Sequence, residues 1–253
     1  MNDSIEVEIT QRRENVFLIL AGFFICAMTL LNVVGITRFI ELGPFVLAVG
    51  VLPYPLTFLC TDLVCELYGQ RRANFLVTVG LILNLFILCI MYVANLAPSA
   101  AAGSQPPWQT LQLAEQIILP SGEVTGNAVE LFELIYACTS GAVFASMVAY
   151  IAAQYADVRL FHFFKRLTNG KHLWIRNNFS TMISQMIDSV AVIAITFGAA
   201  FFAGDFTLKA ILVLIGSNYI FKFSCAVLDT VPFYILVSRL RRYLHLEGTT
   251  QVG

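Results

Sequence analysis

The sequence predicts an all-α fold: a polytopic integral membrane helical bundle with six transmembrane helices and both termini cytoplasmic. Three observations carry this expectation. Of 253 residues, 58% are hydrophobic and 12% charged, with a mean hydropathy of +0.78, which is too apolar for a water-soluble domain of this size. Six segments reach the roughly 20 residues that a helix needs to cross hydrocarbon. Lys and Arg gather on alternate connections between those segments, the asymmetry that fixes orientation in a membrane. The formal net charge of −1 provides no basic field for a nucleic acid.

In chain order the expected spans are 16–37, 42–66, 73–96, 134–154, 179–203 and 208–236, in one transmembrane domain over 1–253. The first is apolar for 22 residues and no small-x-small cleavage pattern closes it, so it reads as a retained span and not as a signal peptide. The second carries Pro53 and Pro55, which should break or bend its helix. Between the third and fourth lies a polar external loop, 97–133, rich in Pro and Gly, in which 108–119 is expected to form a short interfacial helix. Twelve of the 15 basic residues, among them Arg12, Arg13, Arg71, Arg72, Lys165, Arg176 and Arg241, fall on the side that holds both termini; Arg38 and Lys209 lie opposite, and Lys222 sits inside the sixth span. All six cysteines lie in apolar segments without a CxxC pair and read as packing residues, not as disulfide or metal ligands. No metal or cofactor is expected.

Ionisable residues within spans are expensive and usually face the bundle interior or a water-filled cavity. Asp62, Glu66, Asp188, Lys222 and Asp229 are of this kind. Asp62 and Glu66 are four apart and share a helix face, with Tyr54, Phe58 and Thr61 nearby. Ser184 and Gln185 share a face with Asp188, and Asn218, Lys222 and Asp229 form one stripe in the sixth span. Two readings stand for these charges. In one they are mutual structural partners, Lys222 neutralising a carboxylate and Glu66 pairing with Arg71 or Arg72. In the other, one lysine is too few for several acids, and a polar ligand completes the set. A planar heterocycle rich in hydrogen bonds fits this inventory of carboxylates, amides and aromatic faces better than a sugar or a lipid does. Two Q-x-x-D groups, Gln154 to Asp157 and Gln185 to Asp188, form a weak internal echo. Asn178 is expected to cap the fifth span, with Arg176 holding lipid phosphate, in preference to a gate role for the pair.

The stretch PLTFLCTDLVCELYG at 55–69 resembles the queuosine precursor transporter family, earlier labelled vitamin uptake proteins. The resemblance recurs in SMVAYIAAQYAD at 146–157, GKHLWIRNNFST at 170–181, SQMID at 184–188, and Lys222 with DTVP at 229–232, and the linked blocks cover about two thirds of the chain. Ser189 departs from the common Thr, and the loop 97–133 is long and carries no family motif. The resemblance implies a bacterial inner-membrane importer of 7-deazaguanine precursors of the tRNA nucleoside queuosine, such as 7-cyano-7-deazaguanine and its aminomethyl relative. Its partners would be that small molecule and membrane lipids, with assembly into a homo-oligomer left open. It places Asp188 and Gln185 as a substrate clamp, Asp62 with Glu66 as a second polar contact, and Lys222 as counter-charge; Phe58, Ser184, Asn218 and Asp229 complete the candidate substrate-binding residues.

No phosphate-binding G-x-x-x-x-G-K-[ST] motif occurs, so movement would be driven by a gradient, by metabolic trapping or by a separate ATPase. One rival reading is the substrate-binding subunit of an energy-coupling-factor importer. An intramembrane aspartyl protease is the other, and it lacks a GxGD motif here; no His lies in a span to serve a catalytic Ser.

Overall fold

The computed structural model describes residues 2–34, 37–42, 45–100, 104–116, 124–140, 142–203 and 207–246. Seven α-helices occur among them: α1 (Asn2–Val33), α2 (Tyr54–Tyr68), α3 (Gln70–Leu96), α4 (Leu131–Ser140), α5 (Ala142–Leu167), α6 (Leu173–Ala203) and α7 (Leu208–Tyr243). Four segments are long and apolar enough to cross a membrane: Glu6–Val33, Gln70–Leu96, Leu173–Ile195 and Leu208–Tyr243. They coincide with the first, third, fifth and sixth expected spans. The fourth expected span corresponds to α4 and the start of α5, whose helix runs on to Leu167 instead of stopping at residue 154.

The second expected span has a different construction. Residues 42–66 are not one helix: strands β1 (Phe39–Leu42) and β2 (Phe45–Ala48) pair antiparallel, with Phe39 opposite Ala48, and a short 3-10 turn (Val49–Val51) leads into α2. The two prolines explain the late start. Pro53 is the N-cap and Pro55 lies in the first turn, where a missing N–H leaves no intrahelical bond unmade. Pro53 and Pro55 thus begin the helix and do not kink it. At 15 residues α2 is roughly 22 Å long, against roughly 30 Å of hydrocarbon. It is also the most enclosed helix, with 11 residues buried from Tyr54 to Leu67.

A second correction concerns the external loop. Residues 107–109 form a 3-10 turn, and β3 (Thr110–Gln112) pairs with β4 (Ala128–Glu130), so the expected interfacial helix is absent from the described part of 108–119.

α2 packs against α1, α3, α5 and α7, while α6 packs on α5 and α7. The apolar core joins Phe24 and Met28 of α1, Phe58, Leu63 and Val64 of α2, Leu76 and Val77 of α3, Phe161 of α5 and Phe233 of α7. Large apolar residues also cover the outside, for example Phe75, Ile82 and Phe86 on α3 and Leu212, Leu228 and Val231 on α7, while carboxylates, amides and hydroxyls lie inside. That distribution suits a hydrocarbon solvent, which rewards an apolar exterior and forces polar groups to find partners within.

The basic residues that the sequence put on one side do gather at one end. Arg12 lies 5.2 Å from the Tyr243 ring centroid, Tyr68 donates to the Arg13 carbonyl at 2.8 Å, and Arg72 pairs with Glu14 at 2.8 Å. Gly69, with φ of 85°, makes the sharp reversal from α2 to α3 at this end, and Asn169 and Gly170 (φ 49° and 72°) reverse α5 into α6 there.

Candidate functional site

Tyr54, Phe58, Asp62 and Glu66 follow one another at four-residue steps and so line a single face of α2. All four are buried. Three levels of polar contact connect this face to α5, α6 and α7.

At the first level, the Tyr54 hydroxyl donates to Asp188 Oδ2 at 2.7 Å, and the Lys222 ammonium pairs with the same oxygen. Lys222 Nζ also lies 3.4 Å from the Tyr54 hydroxyl and 4.6 Å from its ring centroid. The ring face and the carboxylate together compensate a cation removed from water. Phe58 stacks obliquely on Tyr54, with centroids 5.3 Å apart, and fixes the orientation of that ring.

The second level is acidic. Thr181 Oγ1 donates to Asp62 Oδ2 at 3.3 Å, while Ser184 Oγ lies 2.9 Å from Asp157 Oδ1 and 3.0 Å from the Thr181 carbonyl. Asp62 and Asp157 are thus held as neighbours by two hydroxyls one turn apart on α6. Beside them is a cavity lined by Phe58, Asp62, Thr181 and Asp229, with room for about one water molecule.

The third level is basic. Glu66 accepts from Arg176 at 2.5 Å and from Arg241, with Lys165 at 3.9 Å. Arg176 also donates to the Gly170 carbonyl at 2.9 Å, tying the left-handed turn between α5 and α6 to this cluster.

The structure therefore brings Asp62, Ser184, Asp188, Lys222, Asp229 and Phe58 into one polar interior, with Gln185 buried on the same helix as Asp188. Asn218 lies one turn before Lys222, is half-buried, and takes no part in the three levels. Glu66 is corrected: its partners are Arg176, Arg241 and Lys165, not Arg71 or Arg72, because the Gly69 reversal sends Arg72 toward Glu14 and the rings of Phe17 and Tyr68. Arg176 is 3% exposed, which leaves no room for it as a lipid-phosphate contact. Asn178 is no cap, since α6 begins at Leu173; its side chain bridges the Trp174 carbonyl at 3.2 Å and the Thr230 hydroxyl at 2.8 Å.

Asp157 is the residue missing from the sequence-derived set. Its signal was the Q-x-x-D echo: Gln154 and Asp157 on α5 and Gln185 and Asp188 on α6 are all buried.

Among the described residues, the interior holds a surplus of hydrogen-bond acceptors. Asp62 Oδ1, Asp157 Oδ2, Asp188 Oδ1 and Gln185 Oε1 are buried with no donor. Buried acceptors are costly unless donors reach them, so this interior is chemically matched to a ligand rich in N–H groups.

Comparisons with known proteins identify the family. A family model described as "Putative vitamin uptake transporter" matches residues 48–237, from the end of β2 through most of α7. The chain belongs to the vitamin uptake transporter family. A protein of Bacillus subtilis strain 168 described as "Probable queuosine precursor transporter" is 24% identical over 195 residues, covering 77% of this chain and 73% of that protein. No solved structure matches. This vitamin uptake transporter family member is a helical membrane protein, and its polar interior, apart from Arg241 of the third level, lies inside the matched region.

Proposed function

We propose that this protein imports 7-deazaguanine precursors of queuosine across the bacterial inner membrane, with both termini in the cytoplasm. The buried acceptors Asp188 Oδ1 and Gln185 Oε1 on α6, with Asp62 on α2 beside them, carry the reading. A guanine-like heterocycle presents a ring N–H beside an exocyclic amine, a pair of parallel donors suited to a carboxylate, and a carbonyl oxygen for an amide. Asp188 Oδ1 and Gln185 form the clamp, Asp62 gives a second contact, Lys222 is the counter-charge of Asp188, and the ring faces of Tyr54 and Phe58 support the heterocycle. The relative's description as a queuosine precursor transporter points to the same class. The basic end of the bundle faces the cytoplasm on the positive-inside rule. Glu66 belongs to the ionic cluster that closes this end and is not a direct ligand.

The cavity beside Asp62 holds about a water molecule, far below the several hundred Å³ of an ordinary ligand pocket. Substrate entry therefore requires α2, α6 and α7 to separate along their polar faces. In a strain unable to synthesise the precursor but able to insert it into tRNA, expression of this protein is expected to restore queuosine from external 7-cyano-7-deazaguanine. Failure to do so with the protein present in the membrane rejects the assignment.

A further inference from the structure

Asp157 has no place in the substrate clamp, yet it is fully buried and set against Asp62. Each carboxylate takes one hydroxyl donor from α6 on one oxygen, Thr181 for Asp62 and Ser184 for Asp157. The remaining oxygens, Asp62 Oδ1 and Asp157 Oδ2, have no donor among the described residues. A single hydrogen between two neighbouring carboxyl groups satisfies one oxygen of each. Two ionised carboxylates there would instead repel each other with little water to screen them.

Other charged groups do not relieve this. α7 offers Asp229, another acid; α2 itself adds Glu66 and the Cys65 thiol; α6 contributes the hydroxyls of Ser180, Thr181 and Ser184; from α5 the basic Lys165 is turned toward Glu66.

We propose that Asp62 and Asp157 share one proton, and that the bundle closes only with this proton in place. This rests on the transport reading above. In the closed bundle one hydrogen bridges the two carboxyl groups. When the bundle opens to water on either side, the proton leaves to that side and the pair becomes doubly ionised. Reclosure takes a proton from the side then open, with or without substrate. Each closing takes up one proton and each opening releases one, with no other reactant.

The pair can be read without any substrate. Infrared spectra of the purified full-length protein near neutral pH are expected to contain a protonated-carboxyl band that disappears in both D62N and D157N and persists in D229N. D157E, which preserves two facing carboxyls, retains the band and separates loss of the proton from loss of the fold. Absence of the band in wild type, or its survival in D62N or D157N, overturns the shared proton. Closure is read in proteoliposomes supplied with 7-cyano-7-deazaguanine at the same pH on both sides: wild-type uptake slows as that pH is raised, and D157N loses the dependence. Wild-type uptake indifferent to pH overturns the requirement for the proton. A band that behaves as expected with no uptake of the compound upholds the pair and rejects the substrate assignment instead.

Discussion

Replacing Asp188 with Asn is expected to lower uptake of 7-cyano-7-deazaguanine by about two orders of magnitude. The change keeps the shape of the side chain and removes its charge. Lys222, itself 7% exposed, then keeps only the Tyr54 hydroxyl and ring as partners. Removing one member of a buried ion pair costs about 3–5 kcal/mol, because the other charge is left uncompensated. A structural role and a substrate role are separated by a second variant. In D188N combined with K222M both charges are gone, and such double replacements are often near neutral for stability. The double variant is expected to regain thermal stability in detergent while staying inactive in transport. Recovery of uptake along with stability would make Asp188 a structural partner of Lys222 and nothing more.

Glu66→Gln is expected to act on stability and not on substrate preference. Three cations converge on this carboxylate, and Arg176 is the one that matters most, being 3% exposed. Lys165 and Arg241 have more access to water, with side chains 20% and 42% exposed, and their share is discounted accordingly. Stranding Arg176 alone is worth about 3 kcal/mol or more. The measurement is the thermal unfolding midpoint of purified E66Q against wild type, with the relative binding of 7-cyano-7-deazaguanine and guanine measured alongside. A midpoint at the wild-type value would contradict the cluster's structural role, and an altered preference between the two compounds would return Glu66 to the binding site.

How far the chain discloses this arrangement depends on the range of each interaction. The membrane spans in α1, α3, α6 and α7 follow from local composition, because hydrocarbon selects on the character of about 20 consecutive residues. The stripes Asp62–Glu66, Ser184–Gln185–Asp188 and Lys222–Asp229 follow from helical periodicity for the same reason. The construction of α2 does not. Residues 42–61 are mostly apolar, and hydropathy alone gives no sign that the first part pairs as strands while Pro53 and Pro55 open a short helix. The cations near Glu66 in sequence are Arg71 and Arg72, whereas its partners in the fold, Arg176 and Arg241, are 110 and 175 residues away and beyond the reach of local pattern. Asp157 fell outside the fourth expected span because Gln154, Asp157 and Arg159 lower the local hydropathy, although α5 continues through them to Leu167. The echo with Gln185 and Asp188 was the one clue, and only the packing of α5 on α6 gives it meaning.

The central claim is that the buried acceptors of α2 and α6 recognise the donor edge of a guanine-like heterocycle. Equilibrium binding to the purified protein tests it most directly, comparing 7-cyano-7-deazaguanine with the same compound lacking the exocyclic amine. A site built to pair with an N–H rejects a ligand without it, because its own acceptors are left bare. Binding of the first compound is expected, with an affinity for the second weaker by at least about tenfold, roughly 1.4 kcal/mol. Equal affinity for the two, or no binding of either, would contradict it.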